Sequence, residues 1–282
     1  MTSIVIPAHN EESVIGRCLD AILADARPGE FEVVVASNGS TDRTVEIARS
    51  HGADVQVVES AVASKTAALN LADRSVVSFP RLYVDADVLV DTASVRKVAE
   101  VLERQPGSIA APRLQFALAD RPWTVRAFYD IWRRMPYLSE GLIGSGFYGL
   151  SEGARALFED FPSTFAEDFF IRGLVPPDQR ITVEGAEFTV HPPLSLLSLI
   201  KVRARIFAAN RRSRDLFADS QQDVGGQHKR QLLHLAGQPL AWPHLAIYVG
   251  VVGLARFLAL RSERRGAEPS WDRDQTARTS GL

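Results

Sequence analysis

The sequence predicts an α/β fold, a mostly parallel mixed sheet with helices on both faces and a helical segment after it. Short apolar runs alternate with stretches of helical period over residues 3–104, which is the pattern of strands alternating with helices. Polar and acidic motifs directly follow three of these runs, as is typical of binding residues at the carboxyl ends of parallel strands. A chain of 282 residues is long enough to bury one substantial core and to carry an appendage.

The predicted elements follow one another in βαβ order from the N-terminus. Apolar runs predict strands, and helical periods predict the helices between them. The strands are expected at residues 3–6, 31–36, 54–58 and 81–84, and the helices at 14–23, 41–51, 65–72 and 92–104. Because crossover helices join parallel strands, we expect both faces of the sheet to be covered.

Beyond an apolar run around Ile109 the alternation becomes irregular. A Gly-rich patch at 141–149 precedes a predicted helix near 166–173, and a basic helical stretch follows at 194–217. We therefore predict one domain over 1–218, with halves at 1–105 and 106–218. A helical segment at 219–262 and a charged, disordered tail at 263–282 complete the prediction.

Composition and the N-terminal residues indicate which partners and which cell compartment to expect. The 32 Lys and Arg against 34 Asp and Glu give no reason to expect a nucleic-acid partner. The single Cys18 lies in an apolar helical pattern, which predicts a buried thiol and a reducing compartment. Residues 3–7 open directly as a strand, without the basic start and apolar stretch of a secretory signal, so we expect a cytoplasmic location.

One apolar stretch, residues 240–260, has a single charge, Arg256. About 20 apolar residues suffice to cross a bilayer. Trp242 and Tyr248 near one end and arginines at the other favour a membrane-proximal helix that lies on or spans the bilayer. A core helix packed on the domain is the alternative.

The motif Asp85-Ala86-Asp87 ends the apolar run at 82–84. Two carboxylates separated by one residue can both reach a hard cation, which can bridge phosphate oxygens and neutralise a leaving diphosphate. The alternative is an acidic turn that caps the helix starting near Thr92.

Two further turns follow predicted strands. Residues 4–12 read Ile-Val-Ile-Pro-Ala-His-Asn-Glu-Glu, a strand-to-helix turn whose free amides favour a base edge or a phosphate. Simple capping by Asn10 is the alternative. Residues 37–44 read Ser-Asn-Gly-Ser-Thr-Asp-Arg-Thr, in which Gly39 permits a tight turn followed by residues that favour helix N-caps.

These three motifs, in this order and each at a strand end, resemble the family 2 glycosyltransferases of the GT-A fold. The resemblance covers about residues 1–215 and is specific in the first half. It implies a Rossmann-like GT-A domain with a nucleotide-sugar half at 1–105 and an acceptor half at 106–218. It also implies an inverting, metal-dependent glycosyltransferase that uses Mn²⁺ or Mg²⁺ and a nucleotide-diphosphate sugar.

The resemblance assigns donor contacts residue by residue, to Pro7, Ala8, Asn10, Glu11, Ser37, Asn38, Lys65 and Asp85. Many relatives have an acid where this chain has Ser37, and that acid usually meets uracil, so the nucleobase stays open, with uridine as the leading expectation. Asn38 offers a substitute donor and acceptor pair. Lys65 precedes an Ala-Ala-Leu-Asn run and could meet the diphosphate as a point charge. A solvated surface lysine is the alternative.

The acceptor side is assigned in the same way. The pair Glu167-Asp168 resembles the acidic pair that follows the family's Gly-rich acceptor loop, here Gly144, Ser145 and Gly146. By this likeness Asp168 is the general base that deprotonates the acceptor hydroxyl, and Asp85 and Asp87 hold the metal. An acidic first turn that stabilises a helix dipole is the alternative. His191 is a candidate third metal ligand, against a structural histidine.

The Gln-x-x-Arg-Trp motif of processive relatives is missing, which favours transfer of a single sugar over polymer synthesis. The acceptor is expected to be a hydroxyl, with a lipid-linked or cell-envelope glycan at the cytoplasmic face of the membrane as a hypothesis from the apolar stretch. Two other functions stay open, a sugar nucleotidyltransferase and a non-catalytic nucleotide-sugar-binding protein. Residues 7–10 lack the phosphate loop of the first, and a sensor has no need of Asp168.

Overall fold

The computed structural model describes residues 1–61, 63–135, 138, 145–163, 167–216 and 224–264. The chain forms two compact units. The first consists of residues 1–115 and 141–190, and the second of residues 116–140 and 191–282. The domain boundaries predicted at 105, 218 and 262 stay predictions, and most of the predicted disordered tail lies outside the described residues.

An eight-stranded mixed sheet organises the first unit, with strand order β3-β2-β1-β4-β7-β6-β8-β5. Strands β3, β2, β1 and β4 run parallel, whereas β7 pairs antiparallel with β4 and β6, and β5 with β8. The strands are β1 (Thr2–Ala8), β2 (Phe31–Asn38), β3 (Val55–Ser60), β4 (Arg81–Val84), β5 (Leu89–Val90), β6 (Ile109–Phe116), β7 (Phe147–Leu150) and β8 (Arg180–Val190). The predicted α/β class is confirmed.

Helices of the first unit alternate with these strands as expected. They are α1 (Ile15–Leu23), α2 (Thr44–Arg49), α3 (Lys65–Asp73), α4 (Thr92–Arg104), α6 (Glu152–Arg155) and α7 (Glu167–Leu174), while α5 (Trp123–Trp132) belongs to the second unit. The side chain of Asp91 caps α4 by accepting a hydrogen bond from the Ser94 amide at 2.7 Å. A residue other than Asp85 and Asp87 therefore provides the N-cap of this helix.

A buried polar network ties three elements of the first unit together. Asp73, at the end of α3, accepts hydrogen bonds from Arg81 at 2.6 Å and from the Tyr83 hydroxyl at 2.7 Å, both on β4. Its other carboxylate oxygen accepts from Arg155 of α6 at 2.6 Å. Because buried charges are stable only when paired, this network fixes α3 against β4 and α6.

The second unit is helical. Beside α5 it contains α8 (Leu196–Leu216), α9 (Val224–Ala236) and α10 (Trp242–Arg264). Its core joins Phe128 and Ile131 of α5, Leu199 of α8, and Tyr248 and Val251 of α10. Asp130 of α5 pairs with the His244 ring at 2.9 Å, so that α5 and the first turn of α10 are joined by a polar contact as well.

One helical stretch among the described residues, Pro239–Ser262, is long and apolar enough to cross a membrane by length and composition. It covers most of α10 and agrees with the apolar stretch predicted at 240–260. Length and composition do not decide between a span and a surface helix.

The parallel register brings three strand ends to one edge of the sheet. Ala8 pairs with Ser37, Val5 pairs with Tyr83, and Asn38 pairs with Ser60. The turns that leave β1, β2 and β4 therefore open on the same side. These turns carry the three sequence motifs.

Candidate active site

The turns after β1 and β2 are bonded to each other. The Thr44 hydroxyl accepts a hydrogen bond from the Glu11 amide at 2.7 Å, and the Asn10 carboxamide oxygen accepts from the Thr41 amide at 2.8 Å. Asn10 adopts a left-handed φ of 52°. Its side chain thus pins the second turn, and the N-cap position of α1 is Val14, which gives no side-chain cap. The capping alternative for Asn10 is not realised at its own helix.

Asn38 ends β2 with a fully buried side chain. Neither its amide nitrogen nor its amide oxygen has a hydrogen-bond partner among the described residues. Its backbone carbonyl oxygen accepts a hydrogen bond from the His9 ring nitrogen at 2.6 Å. Since buried polar groups are almost always hydrogen-bonded, this amide is a donor and acceptor pair ready for a ligand.

The other residues predicted to bind the donor flank Asn38. The Ser37 hydroxyl donates to the Ser40 hydroxyl at 3.0 Å, so that it is already engaged within its own turn. Pro7 and Ala8 are buried in β1 and pair with Ala36 and Ser37. In this turn the Asn38 side chain has the polar atoms without a partner among the described residues.

Lys65 lies between two carboxylates. It is the first residue of α3, whose N-cap Ser64 accepts a hydrogen bond from the Ala67 amide. Its ammonium donates to Asp85 at 2.7 Å and to Glu167. Burial by itself would lower the pKa of Lys65, but Asp85 and Glu167 outweigh it and raise the pKa above the ordinary value of 10.5. Lys65 is therefore a charged, mostly buried group, and the alternative of a solvated surface lysine is not what the structure has.

Gly146 packs directly against Asp85. Its carbonyl oxygen accepts a hydrogen bond from the Asp85 amide at 2.8 Å, and its φ of 105° lies in the left-handed region. A Cβ at this position would lie 2.6 Å from Val88 Cγ2 and 3.6 Å from the Asp85 carboxylate. Only glycine fits, and the predicted acceptor loop therefore contacts the acidic motif directly.

Ser145 precedes Gly146 with a positive φ of 64°. Gly144, the third residue predicted for this loop, lies outside the described residues.

Asp87 is the second carboxylate of the motif. It is half-buried and has no hydrogen-bond or ion-pair partner within the described part of the chain. Burial raises the pKa of the nearby Cys18 thiol, and the charges of Asp87 and Asp85 raise it further. The buried free thiol agrees with the sequence prediction.

Carboxylate oxygens suit a hard divalent cation, and the unused Asp87 carboxylate makes the pair chemically fit to hold one. In the described ranges no group of three or more His, Cys, Asp and Glu gathers as a metal site. Two protein carboxylates would leave the remaining ligand positions to other molecules. His191 follows β8 in the chain and belongs to the second unit, so its role as a third ligand stays a prediction.

Glu167 and Asp168 form the first turn of α7. Glu167 is buried against Lys65, and Asp168 is half-buried. Burial raises the pKa of Tyr148 well above its ordinary value, and the charges of Glu167, Asp85 and Asp168 add to the effect. All these groups therefore lie around one point, at the end of β4 and the start of α7.

Tyr148 is the residue that sequence reasoning missed. It lies on β7, stacks on Tyr83 with ring centroids 4.9 Å apart, and its buried hydroxyl has no hydrogen-bond partner among the described residues. The only signal available in the sequence was its place within the Gly-rich patch. The structure thus brings together Lys65, Asp85, Gly146, Glu167 and Tyr148.

Known proteins resemble this chain in sequence and in fold. A family model described as glycosyl transferase family 2 matches residues 3–156, more than half of the chain. The 4,4'-diaponeurosporenoate glycosyltransferase of Staphylococcus aureus (strain USA300) is 47% identical over 53 residues, which are 19% of this chain and 14% of that protein. The matched stretch thus spans about a seventh of that relative's length.

Three solved structures of similar fold illustrate the likeness. The mannosyltransferase PcManGT from Pyrobaculum calidifontis, in complex with GDP-Man and Mn²⁺, has a TM-score of 0.63 at 20% identity and covers 95% of this chain and 81% of its own. Glucosyl-3-phosphoglycerate synthase from Mycobacterium tuberculosis, with Mn²⁺ and UDP, has a TM-score of 0.54 at 20% identity over 74% and 78%. S. aureus TarS has 0.52 at 14% over 80% and 41%.

At identities of 14% to 20% the similar structures show the fold alone. The match to the family model shows that the chain belongs to the family. The mixed sheet, the motifs at its strand ends and the family match agree with one another. The chain therefore belongs to glycosyl transferase family 2 and has the GT-A fold that its motifs predict.

Proposed function

We propose that this glycosyltransferase moves a single sugar, with inversion, from a nucleotide-diphosphate sugar to an acceptor hydroxyl. One observation carries the proposal. The Lys65 ammonium lies between Asp85 and Glu167, and this joins the donor motif at the end of β4 to the acidic pair of α7. A cation at this place can stabilise the negative charge that develops on a departing diphosphate.

The donor is expected to lie over the turns after β1, β2 and β4. The Asn38 amide supplies a hydrogen-bond donor and acceptor for the base edge. The turn of Asn10 and Glu11 supplies backbone amides that can contact the base or a phosphate. Lys65 can leave Asp85 for a phosphate oxygen when the donor arrives, since an ammonium is a mobile point charge. The similar structures are complexes with different bases, GDP-Man and UDP, so uridine is a leading expectation rather than an assignment.

Asp85 and Asp87 are proposed to hold Mn²⁺ or Mg²⁺, with His191 as the candidate third ligand. The bound ion would neutralise charge on the departing diphosphate. In the two similar structures named above, Mn²⁺ is bound. Of the chain's own residues, Lys65 would orient the phosphates. The Asp87 carboxylate would bind the metal.

Asp168 is proposed as the general base. In an inverting transfer the acceptor hydroxyl is deprotonated on the side opposite the leaving group, and a carboxylate within hydrogen-bonding reach can accept this proton. Glu167, held by Lys65, positions the first turn of α7, and the loop of Ser145 and Gly146 borders the acceptor. The acceptor is proposed to be lipid-linked or part of a cell-envelope glycan, presented at the cytoplasmic face of the membrane.

Substitution of Asp168 tests this assignment. Asp168→Asn keeps the shape of the side chain, so we expect the melting-temperature rise with nucleotide diphosphate and Mn²⁺ to persist. Release of nucleotide diphosphate from the donor should fall by about a hundredfold or more, the range of a lost general base. Asp178→Asn changes an exposed carboxylate of the same unit and should leave turnover unchanged.

Two results would contradict the proposal. Turnover in Asp168→Asn equal to that of the parent would remove Asp168 from the reaction. Donor turnover that survives exhaustive chelation of divalent ions would remove the metal from the site of Asp85 and Asp87.

A further inference from the structure

The outer face of α10 is apolar along the helix. Its exposed large side chains are between 40% and 59% exposed. They are Trp242, Val249, Leu254, Phe257 and Leu260. Ala246, Gly250 and Gly253 lie between them and are exposed too. Arg256, a charged side chain, is exposed among them. A long helix face of mostly apolar, exposed side chains marks a site of contact with a partner or a membrane.

The inner face of α10 is packed against the rest of the second unit. Tyr248, Val251, Ala255 and Ala259 are buried, and Tyr248 stacks on Phe128 of α5 with centroids 5.1 Å apart. These buried positions recur every three or four residues and run nearly the whole length of the helix. α10 therefore has two faces with different surroundings, as a helix lying along a surface has.

Packing against charged helices argues against a single span. Arg203 of α8 lies over the Trp132 ring at 4.8 Å, and Arg256 of α10 lies over Phe207 at 5.3 Å. Asp130 binds Arg134 at 2.9 Å beside the first turn of α10. A transmembrane position of α10 would draw these charges into hydrocarbon, which is strongly unfavourable.

The charge of the second unit identifies the surface it fits. Its residues contain 18 Lys and Arg against 10 Asp and Glu, a formal charge of +8, whereas the first unit has 14 against 24, a formal charge of −10. The near-neutral total of −2 hides this division. Exposed basic residues of the second unit include Lys201, Arg211, Lys229, Arg230, Arg256 and Arg261. Arg256 and Arg261 lie on α10 itself. Basic side chains on a helix with an apolar face are the chemistry that binds anionic lipid headgroups.

We propose that the outer face of α10 docks into the interface of an anionic lipid bilayer, with the helix axis along the membrane surface. The apolar side chains enter the boundary between headgroups and acyl chains, and the basic residues bind lipid phosphates. This inference deepens the membrane-proximal location proposed for the enzyme and rests on it. Vesicle binding is measured without donor, so that its failure leaves the transfer reaction untouched.

Flotation of the purified full chain with lipid vesicles tests the proposal. We expect binding to phosphatidylcholine vesicles that contain phosphatidylglycerol, much weaker binding to phosphatidylcholine alone, and loss of binding as salt is raised. Leu254→Glu should weaken binding about tenfold or more, because an apolar contact is replaced by a charge. Leu157→Glu, at a similarly exposed leucine of the first unit, should bind like the parent.

A second variant tests the salt dependence of vesicle binding. Arg261→Gln removes an exposed charge at the end of α10 and should reduce the salt dependence of binding without changing the melting temperature. Equal far-UV circular dichroism and equal donor turnover in solution would show that both α10 variants are folded.

Four results would overturn the proposal. Equal vesicle binding by Leu254→Glu and the parent would remove α10 from the contact. Retention of the chain in cell membranes after alkaline carbonate extraction would show a span. Conversion of a dimer to a monomer by Leu254→Glu, without vesicle binding by the parent, would make the face an interface between copies. Binding of the parent to RNA but not to anionic vesicles would make the basic unit a nucleic-acid surface.

Discussion

The charge of the candidate site depends on one residue, Lys65. Its ammonium is shared by Asp85 and Glu167, which are 20 residues after it and 102 residues after it in the chain. Without it, two carboxylates would face each other in a mostly buried place. Since the pKa of Lys65 is raised above 10.5, its stabilising contribution is fully present below pH 10.5 and is lost only as the pH rises beyond that value.

Lys65→Met should destabilise the fold by about 3 kcal/mol at neutral pH, because the partner charges are left unpaired. Urea unfolding of the parent and the variant measures this loss. Lys97→Met removes an exposed lysine that donates to the Gly185 carbonyl, and we expect it to lower the unfolding free energy by about 1 kcal/mol or less. A loss for Lys65→Met no larger than that for Lys97→Met would contradict the ion-pair account.

Asn10 and Gly146 show how far the sequence around a single residue predicts its contacts. The turn chemistry around Asn10 predicted a polar strand-to-helix turn, and the structure has one, but its partners on the next turn depend on two strands meeting. Gly146 was predicted within an acceptor loop. Its contact with Asp85, 61 residues earlier, follows only from the antiparallel pairing of β4 and β7, which no local pattern specifies.

At the scale of elements, α3 joins the two parts of the site. Lys65 at its first turn meets the carboxylates, and its C-terminal half holds the segment that precedes α7. The Asn70 side chain accepts from the Phe161 amide at 2.7 Å and donates to the Phe161 carbonyl at 3.1 Å. These two bonds hold the backbone at Phe161 against α3, so we expect Asn70 to position the segment before α7, on the proposed acceptor side.

Asn70→Ala should lower the unfolding free energy by about 2 kcal/mol, because it leaves partly buried backbone groups of Phe161 without partners. It should also lower kcat with little change in the donor KM, since the Asn70 side chain bonds the segment before α7 and not the turns proposed to bind the donor. Arg74→Ala is the matched control, because it removes an exposed ion pair between the same helix and Asp160. A surface pair contributes about 0.5 kcal/mol, and an equal effect of both variants would contradict a positioning role for Asn70.

The sequence predicted β1 to β4, because each is an apolar run that alternates with a stretch of helical period. This local pattern was enough even for β4, whose partners β1 and β7 are far from it along the chain. β5 has two residues, and β7 lies in a Gly-rich patch; both depend on antiparallel pairing with distant strands. Their conformation is stabilised by those partners and not by local propensity.

At the scale of the whole molecule, charge is unevenly divided between the units, and acidic residues dominate the first. Some of its carboxylates are held ionised by local contacts. Arg96 and the Arg27 amide hold the pKa of Glu30 at about 2, below its ordinary 4.5. Burial alone would raise the pKa of Glu32, but hydrogen bonds from Ser3, Val77 and Ser78 lower it. These groups stabilise the fold above pH 4.5, and the stabilisation is lost as the pH falls through the folded pKa.

Arg96→Gln tests this dependence on pH. The difference in unfolding free energy between parent and variant should be largest above pH 4.5 and shrink as the pH falls towards 2. A remainder should persist, because Arg96 also donates to the Asp25 carbonyl at 2.7 Å. Arg49→Gln, which breaks an exposed pair with Glu59, should show a small difference at every pH. A constant difference for Arg96→Gln would contradict the assignment.

The sequence by itself determined the family, the α/β class and the strand ends at which the motifs lie, because local periods and turn residues act over short distances. Only the tertiary structure decided that Lys65 joins Asp85 to Glu167, that Asp91 caps α4, and that α10 has one packed and one exposed face. It also divided a nearly neutral chain into an acidic unit and a basic unit. These features depend on contacts between residues far apart in the chain, and such contacts are selected by packing and charge pairing, which leave no local pattern.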